Sequence, residues 1–336
     1  MTRTKTINLA LQGGGAHGAY GWGVLDALLS DGRIAIEGIS ATSAGAMNAV
    51  VLAQGWLNGG AAGARAALDA FWRDVSVAGS SFSAARAWPW SDWFRSSTPP
   101  LQLWMDVVMR MFSPYQWNPL NINPLRDLLL RHVDFEALQS RSPFKLFLCA
   151  TNVESGKIRL FGNHELSPDA VLASACLPLL FQAVQIDGEY FWDGGYMGNP
   201  AIYPLIYDCT SRDVVIVHIN PIVRRGCPTG AAEILDRVNE LSFNSTLMRE
   251  MRAIAFVGSL LDQGKVHNGE LKRMFIHSVR SDTAMTDLGV ASKFNTDWQF
   301  LSSLCEAGRA QGRDWLAQNF KALGRQSSVD IRAEFL

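Results

Sequence analysis

The chain has 336 residues, of which 48% are apolar and 18% charged, with a formal net charge of −1. That balance leaves no basic footprint for nucleic acid, and no run reaches the ~18 uninterrupted apolar residues that a membrane span needs. A chain of this length and apolar content buries a large core, and one α/β domain over 1–336 is the economical organisation. The N-terminal Met1-Thr2-Arg3-Thr4-Lys5 leads into a short apolar strand, without the apolar core of a secretory signal. The expected location is cytoplasmic, with peripheral contact at the inner membrane surface as the alternative. Cysteines 149, 176, 209, 227 and 305 form no Cys-x-x-Cys and are odd in number, so free thiols are expected.

Two glycine-bearing turns dominate the first fifty residues. Ile7, Leu9 and Leu11 read as a buried strand, followed by Gln12-Gly13-Gly14-Gly15-Ala16-His17-Gly18 and a helical pattern over 19–29. Residues 34–39 read as a second strand, followed by Ala41-Thr42-Ser43-Ala44-Gly45 and a helix over 44–52. A strand, helix, strand and helix in this order make the strands parallel neighbours and bring both turns to one carboxyl-end edge. A helix is predicted over 59–75, and an elaborated segment over 76–124. Five of the eleven tryptophans fall between 88 and 117, and Leu101, Trp104, Val108 and Met111 recur at helical spacing. Aromatics at helical spacing are commonly core, but tryptophan also favours boundaries with one apolar and one wet side. This segment is therefore read either as core or as a cap beside the site mouth that contacts acyl chains or a bilayer.

Asn123-Pro124 and Ser167-Pro168 each read as an N-cap followed by a proline at the first helical position. Residues 145–152 and 158–161 read as paired strands, and 183–192 as a hairpin turning at Asp187-Gly188 and ending in Asp193-Gly194-Gly195. Residues 213–220 form a β-branched run suited to a buried parallel sheet. A helical extension over 230–336 follows, interrupted by a late strand at 273–279.

Ser43 sits where a strand turns sharply into a helix, with small neighbours that permit close backbone approach. It is either a nucleophile whose developing charge faces a helix N-terminus, or an N-cap. The 13–18 turn offers successive N–H groups as an anion nest. Gly13, Gly15 and Gly18 also fit the dinucleotide pattern, but the acidic residue required at the end of the second strand is missing, and Glu37 comes too early. Of the six histidines, His267 is a poor candidate for a late catalytic base, whereas Asp193 follows an aromatic run and precedes two glycines.

Gly-Gly-Gly-Ala-His-Gly at 13–18, Ala-Thr-Ser-Ala-Gly at 41–45 and Asp-Gly-Gly at 193–195 resemble the three signature blocks of patatin-like phospholipases, in that family's order. Residues 173–181 and Asn199-Pro200 extend the likeness, which runs over about 7–205. The resemblance implies a three-layer α/β/α sandwich with a mostly parallel sheet. It implies a serine acyl hydrolase acting on acyl esters of lipids, with Ser43 as nucleophile and Asp193 as its base, and no metal or cofactor. Gly14 and Gly15 would be the oxyanion donors, and Gly13, His17, Gly45 and Gly194 would line the site. Two positions depart from the pattern. Ala41 replaces the first glycine of the elbow, and His17 stands where a basic residue is common, which would make its charge pH-dependent near neutrality. Acyl transfer to an alcohol uses the same residues, and a nucleotide-binding module built on the 13–18 loop is the alternative from another class.

Overall fold

The computed structural model describes residues 4–85, 113–266, 271–280, 285 and 288–336. Most of the tryptophan-rich segment and His267 lie outside the described residues. The central strand is β1 (Lys5–Leu11), paired in parallel with β2 (Ile34–Ala41) on one side and β7 (Asp213–Val217) on the other. Strand β3 (Lys145–Asn152) runs parallel to β2. Strand β4 (Ile158–Phe161) pairs antiparallel with β3, and β5 (Val184–Ile186) with β6 (Glu189–Asp193). With β8 (Phe275–Val279) parallel to β7, the order is β5-β6-β3-β2-β1-β7-β8, and β4 lies off this path on β3.

Side-chain alternation divides the core into two layers. Leu9, Leu11, Val215 and Val217 point into one cluster, while Ala10, Val214 and Ile216 point into the other. Helix α1 (Gly18–Asp31), helix α2 (Ala44–Ala85) and the late helix Trp298–Asn319 cover the first face. Tyr203–Asp208 and the long helix Ala231–Asp262 cover the second through Leu205, Leu247 and Met251. The result is the expected α/β/α sandwich. Because both faces of β7 are covered, its sequence reads as a continuous apolar run over 214–217, whereas β1 carries the buried Asn8 between Ile7 and Leu9.

Local signals act as expected. Asn123 Oδ1 accepts from Leu125 N at 3.1 Å, and Ser167 Oγ from Ala170 N at 3.1 Å, each capping a helix with proline in its first turn. Asp187 (φ 52°) and Gly188 (φ 84°) form the tight turn between β5 and β6. The helix predicted over 59–75 begins where expected: Gly59 (φ −168°) and Gly60 (φ 60°) are non-helical and divide α2 into two helical segments.

Strand β3 is what brings two distant parts of the chain together. Its Leu148 pairs with Ala41 at the end of β2, and its Ala150 pairs with Asp193 at the end of β6. Thus Asp193 arrives two residues along β3 from the strand that carries the Ser43 turn.

Candidate active site

Ser43 follows β2 in a left-handed conformation, φ 55°, which a residue with a Cβ adopts at a cost of about 1–3 kcal/mol. The surroundings hold it there. Ser43 N donates to Ser174 Oγ at 2.9 Å, Gly45 N to Thr42 O at 2.8 Å, and Thr42 Oγ1 to Gly198 O at 2.6 Å. Helix α2 starts at once, so the Ser43 side chain stands at its N-terminus. Only 8% of Ser43 is exposed.

The glycine turn lies directly against this elbow. A Cβ on Gly13 would come within 2.6 Å of the Ser43 Cβ, so only glycine lets the two turns meet. Gly13 N donates to Asn199 Oδ1 at 2.7 Å, and Gly13 O accepts from Asn220 Nδ2 at 2.9 Å. Gly15 is left-handed, φ 59°, beneath the carbonyl of Lys293. Among the described residues, no acceptor takes the N–H of Gly14 or Gly15.

Asp193 is fully buried. Its Oδ1 accepts from Gly195 N at 2.7 Å, and its Oδ2 has no formed hydrogen bond. Burial pushes the carboxyl up to about 6, against the opposing pull of the Gly195 N–H, the Ser43 hydroxyl and the Lys293 ammonium. The Ser43 hydroxyl therefore bears on Asp193 while falling short of a well-formed bond, a looseness common before substrate binds. Asp193 N donates to Cys176 O at 2.7 Å, and Gly194 packs on the Cys149 carbonyl.

The histidines are placed elsewhere. His277 Nε2 lies 3.0 Å from Asp213 Oδ1, and His218 is buried beside Ser278, where burial drops it to about 3. His17 borders the glycine turn, but its Nε2 lies 2.8 Å from Ser292 Oγ, and burial, with Lys293 nearby, takes it to about 3. It is neutral across the physiological range, so the pH-dependent charge expected from its sequence position is absent. Glu37 accepts from Thr210 N, Ser211 N and Thr210 Oγ1, so its carboxylate is already engaged.

The sheet edge thus unites Gly13, Gly14, Gly15, Ser43, Gly45, Asp193 and Gly194, with His17 behind the loop. It adds residues that sequence reading gave no role. Ser174 and Asn199 lie in stretches already singled out by resemblance, and Asn220 just follows the apolar strand β7. Lys293 carries no local signal. A cavity of about 730 Å³ lies at the other end of the sheet, between Tyr203, Glu250 and Phe275, away from these groups. Among the described residues no group of three or more His, Cys, Asp and Glu is arranged to hold a metal. No described helix is long and apolar enough to cross a membrane.

By architecture this is a three-layer α/β/α protein with polar groups gathered at the carboxyl ends of adjacent parallel strands, where such sheets bind their ligands. The family model for patatin-like phospholipases matches residues 9–206, more than half of the chain, and the chain belongs to that family. Membership implies lipid acyl hydrolase activity. Among solved structures, VipD from Legionella pneumophila is similar with a TM-score of 0.43 and 16% identity, over 93% of this chain and 67% of that one. No curated protein matches the chain.

Proposed function

We propose that the protein is a serine acyl hydrolase of the phospholipase A type that works through a Ser43–Asp193 dyad. The observation that carries this reading is the meeting of a left-handed serine with a buried aspartate whose second oxygen is unbonded. Asp193 takes the Ser43 proton as Oγ attacks the acyl carbonyl and passes it to the departing alkoxide, so that the acyl-enzyme forms, the alcohol portion of the lipid leaves and the carboxylate is restored. Water, activated by the same carboxylate, then releases the fatty acid. An aspartate at its ordinary pKa of ~4 is a feeble base. A carboxyl raised to about 6 is better matched to reaction near neutrality. The unengaged N–H groups of Gly14 and Gly15 receive the oxyanion, and each such donor is typically worth about 10²–10³ in rate.

No described histidine touches Ser43 or Asp193, which favours a dyad over a triad. Labelling with a fluorophosphonate and mapping the modified residue tests the assignment. Modification at Ser43, abolished in Ser43→Ala together with ester hydrolysis, is the expected result. Labelling elsewhere, with hydrolysis retained in that variant, would overturn it. Adding a short alcohol acceptor and analysing the products separates hydrolysis from transfer, since both use the same acyl-enzyme.

A further inference from the structure

Behind the glycine turn lies a polar chain that the dyad does not use. Lys293, in the 3-10 turn Val290–Phe294, donates from Nζ to Asn220 Oδ1 at 2.9 Å. Asn220, 2% exposed just beyond β7, donates from Nδ2 to Gly13 O at 2.9 Å. The amide orientation is fixed by its two neighbours. A flipped Asn220 would set its NH₂ against an ammonium and its oxygen against a carbonyl. Gln12 holds the other side of the same joint, its Oε1 accepting from Ile219 N at 2.9 Å and Asn220 N at 3.0 Å.

The carbonyl of Gly13 and the N–H of Gly14 belong to one planar trans peptide and point in opposite directions. Holding the Gly13 oxygen therefore aims the Gly14 hydrogen. We propose that Asn220 and Lys293 are positioning residues that hold the Gly13–Gly14 peptide, so that the Gly14 N–H is aimed at the oxyanion before substrate arrives. The inference rests on the dyad reading above. Both residues lie outside the stretch 9–206 that matches the family model, so they belong to this chain's own C-terminal part.

The cost of the arrangement supports a role beyond packing. Lys293 makes no ion pair among the described residues, and its ammonium rests on a neutral amide and 5.7 Å from the Phe243 ring centroid. Glu240, Asp193 and Asp236 lie near enough to favour the Lys293 charge, but none forms an ion pair with it, so the desolvation of this largely buried ammonium is only partly offset. An ammonium on the amide oxygen polarises the amide, which strengthens the Nδ2–H donor that grips Gly13. Preorganised oxyanion donors gain their effect from needing no reorganisation during reaction.

Steady-state kinetics on a short soluble p-nitrophenyl ester, with melting temperatures, test this in the full chain. Asn220→Asp keeps the shape and the Lys293 contact, now as an ion pair, but sets an oxygen against the Gly13 carbonyl. It should lower kcat about 10²-fold with KM and melting temperature near wild type. Lys293→Met should lower kcat about 10-fold, Lys293→Arg should recover part of it, and the double variant should be no worse than Asn220→Asp alone. Wild-type kcat in Asn220→Asp, or losses that simply multiply in the double variant, would overturn the relay. Should Asn220→Asp fail to fold, an unchanged kcat in Lys293→Met overturns it equally. Ser43→Ala separates the two levels. If that variant still hydrolyses the ester, the dyad reading falls and the relay with it; if it is inactive while Asn220→Asp is fast, only the relay falls.

Discussion

Two of the protein's buried aspartates, Asp26 and Asp193, are held on opposite principles. Asp26, on α1, is 4% exposed and has both oxygens taken. Arg65 Nε from α2 reaches Oδ1 at 2.6 Å, and Arg309 Nε from the late helix reaches Oδ2 at 2.7 Å. Burial pushes its carboxyl up, but the two guanidinium groups outweigh that and hold it below the usual carboxylate range. Asp193 is more deeply buried, has one N–H partner and one bare oxygen, and sits at about 6. Asp26 ties three helices of one layer together. Asp193 is kept short of partners beside a serine. A buried carboxylate with its lone pairs filled does structural work, and one left half-filled stores the proton affinity that a base needs.

Removing each carboxylate should therefore have opposite consequences, and this is the sharpest way to break the comparison. Asp193→Asn retains the acceptor for Gly195 N and should cut ester turnover by at least about 10³-fold. Its stability should hold or rise. A carboxyl whose folded pKa lies above its unfolded value loses stability as pH climbs through about 6, and the amide has no such loss. Asp26→Asn should do the reverse, lowering stability by about 2–4 kcal/mol by stranding two arginines, of which Arg65 is already 43% exposed at its side chain, with kcat retained. Urea unfolding and soluble-ester kinetics on both variants check the pair. Equal destabilisation would mean that Asp193 is a structural residue and that the contrast is false.

The sequence made the frame legible because local rules govern it. Ile7, Leu9 and Leu11 marked β1, the unbroken β-branched run marked β7 as a strand covered on both faces, Asp187-Gly188 marked the hairpin that delivers Asp193, and the Asn-Pro and Ser-Pro pairs marked helix starts. Ser43, Asp193 and the glycine turn were visible because three short blocks fall in one family's order, although each alone also fits an N-cap, an ordinary turn or a nucleotide loop. The clamps on that turn were not. Asn199 reaches Gly13 across 186 residues, and Asn220 reaches it across 207, through contacts that no spacing encodes. His17 shows the same limit. Its sequence neighbours suggest a charge that switches near neutrality, but Ser292 and Lys293 come from a segment far along the chain, and they bury it as a neutral group. Residue type can be read locally; protonation depends on what folds over it.

The smallest expected effect concerns pH, and it sharpens the contrast between the two carboxylates. With Asp193 as base, kcat/KM on a soluble ester should fall below a pH of about 6, approaching tenfold per unit once the carboxyl is protonated. The histidines near the edge do not supply this limb, because His17 and His218 are already neutral well below it. The groups bearing on Asp193 are the Gly195 N–H, the Ser43 hydroxyl and the Lys293 ammonium, all of which favour its charged form. Lys293 is the one full charge among them. Replacing it with methionine withdraws that support, so the limb should move to higher pH in Lys293→Met. The height of the profile and its position then report different things. Height reads how well the Gly14 N–H is aimed, whereas position reads the charge felt by Asp193. A limb that stays put while the plateau drops would confine Lys293 to the peptide it holds, and a limb that moves to lower pH would remove Asp193 as the titrating base.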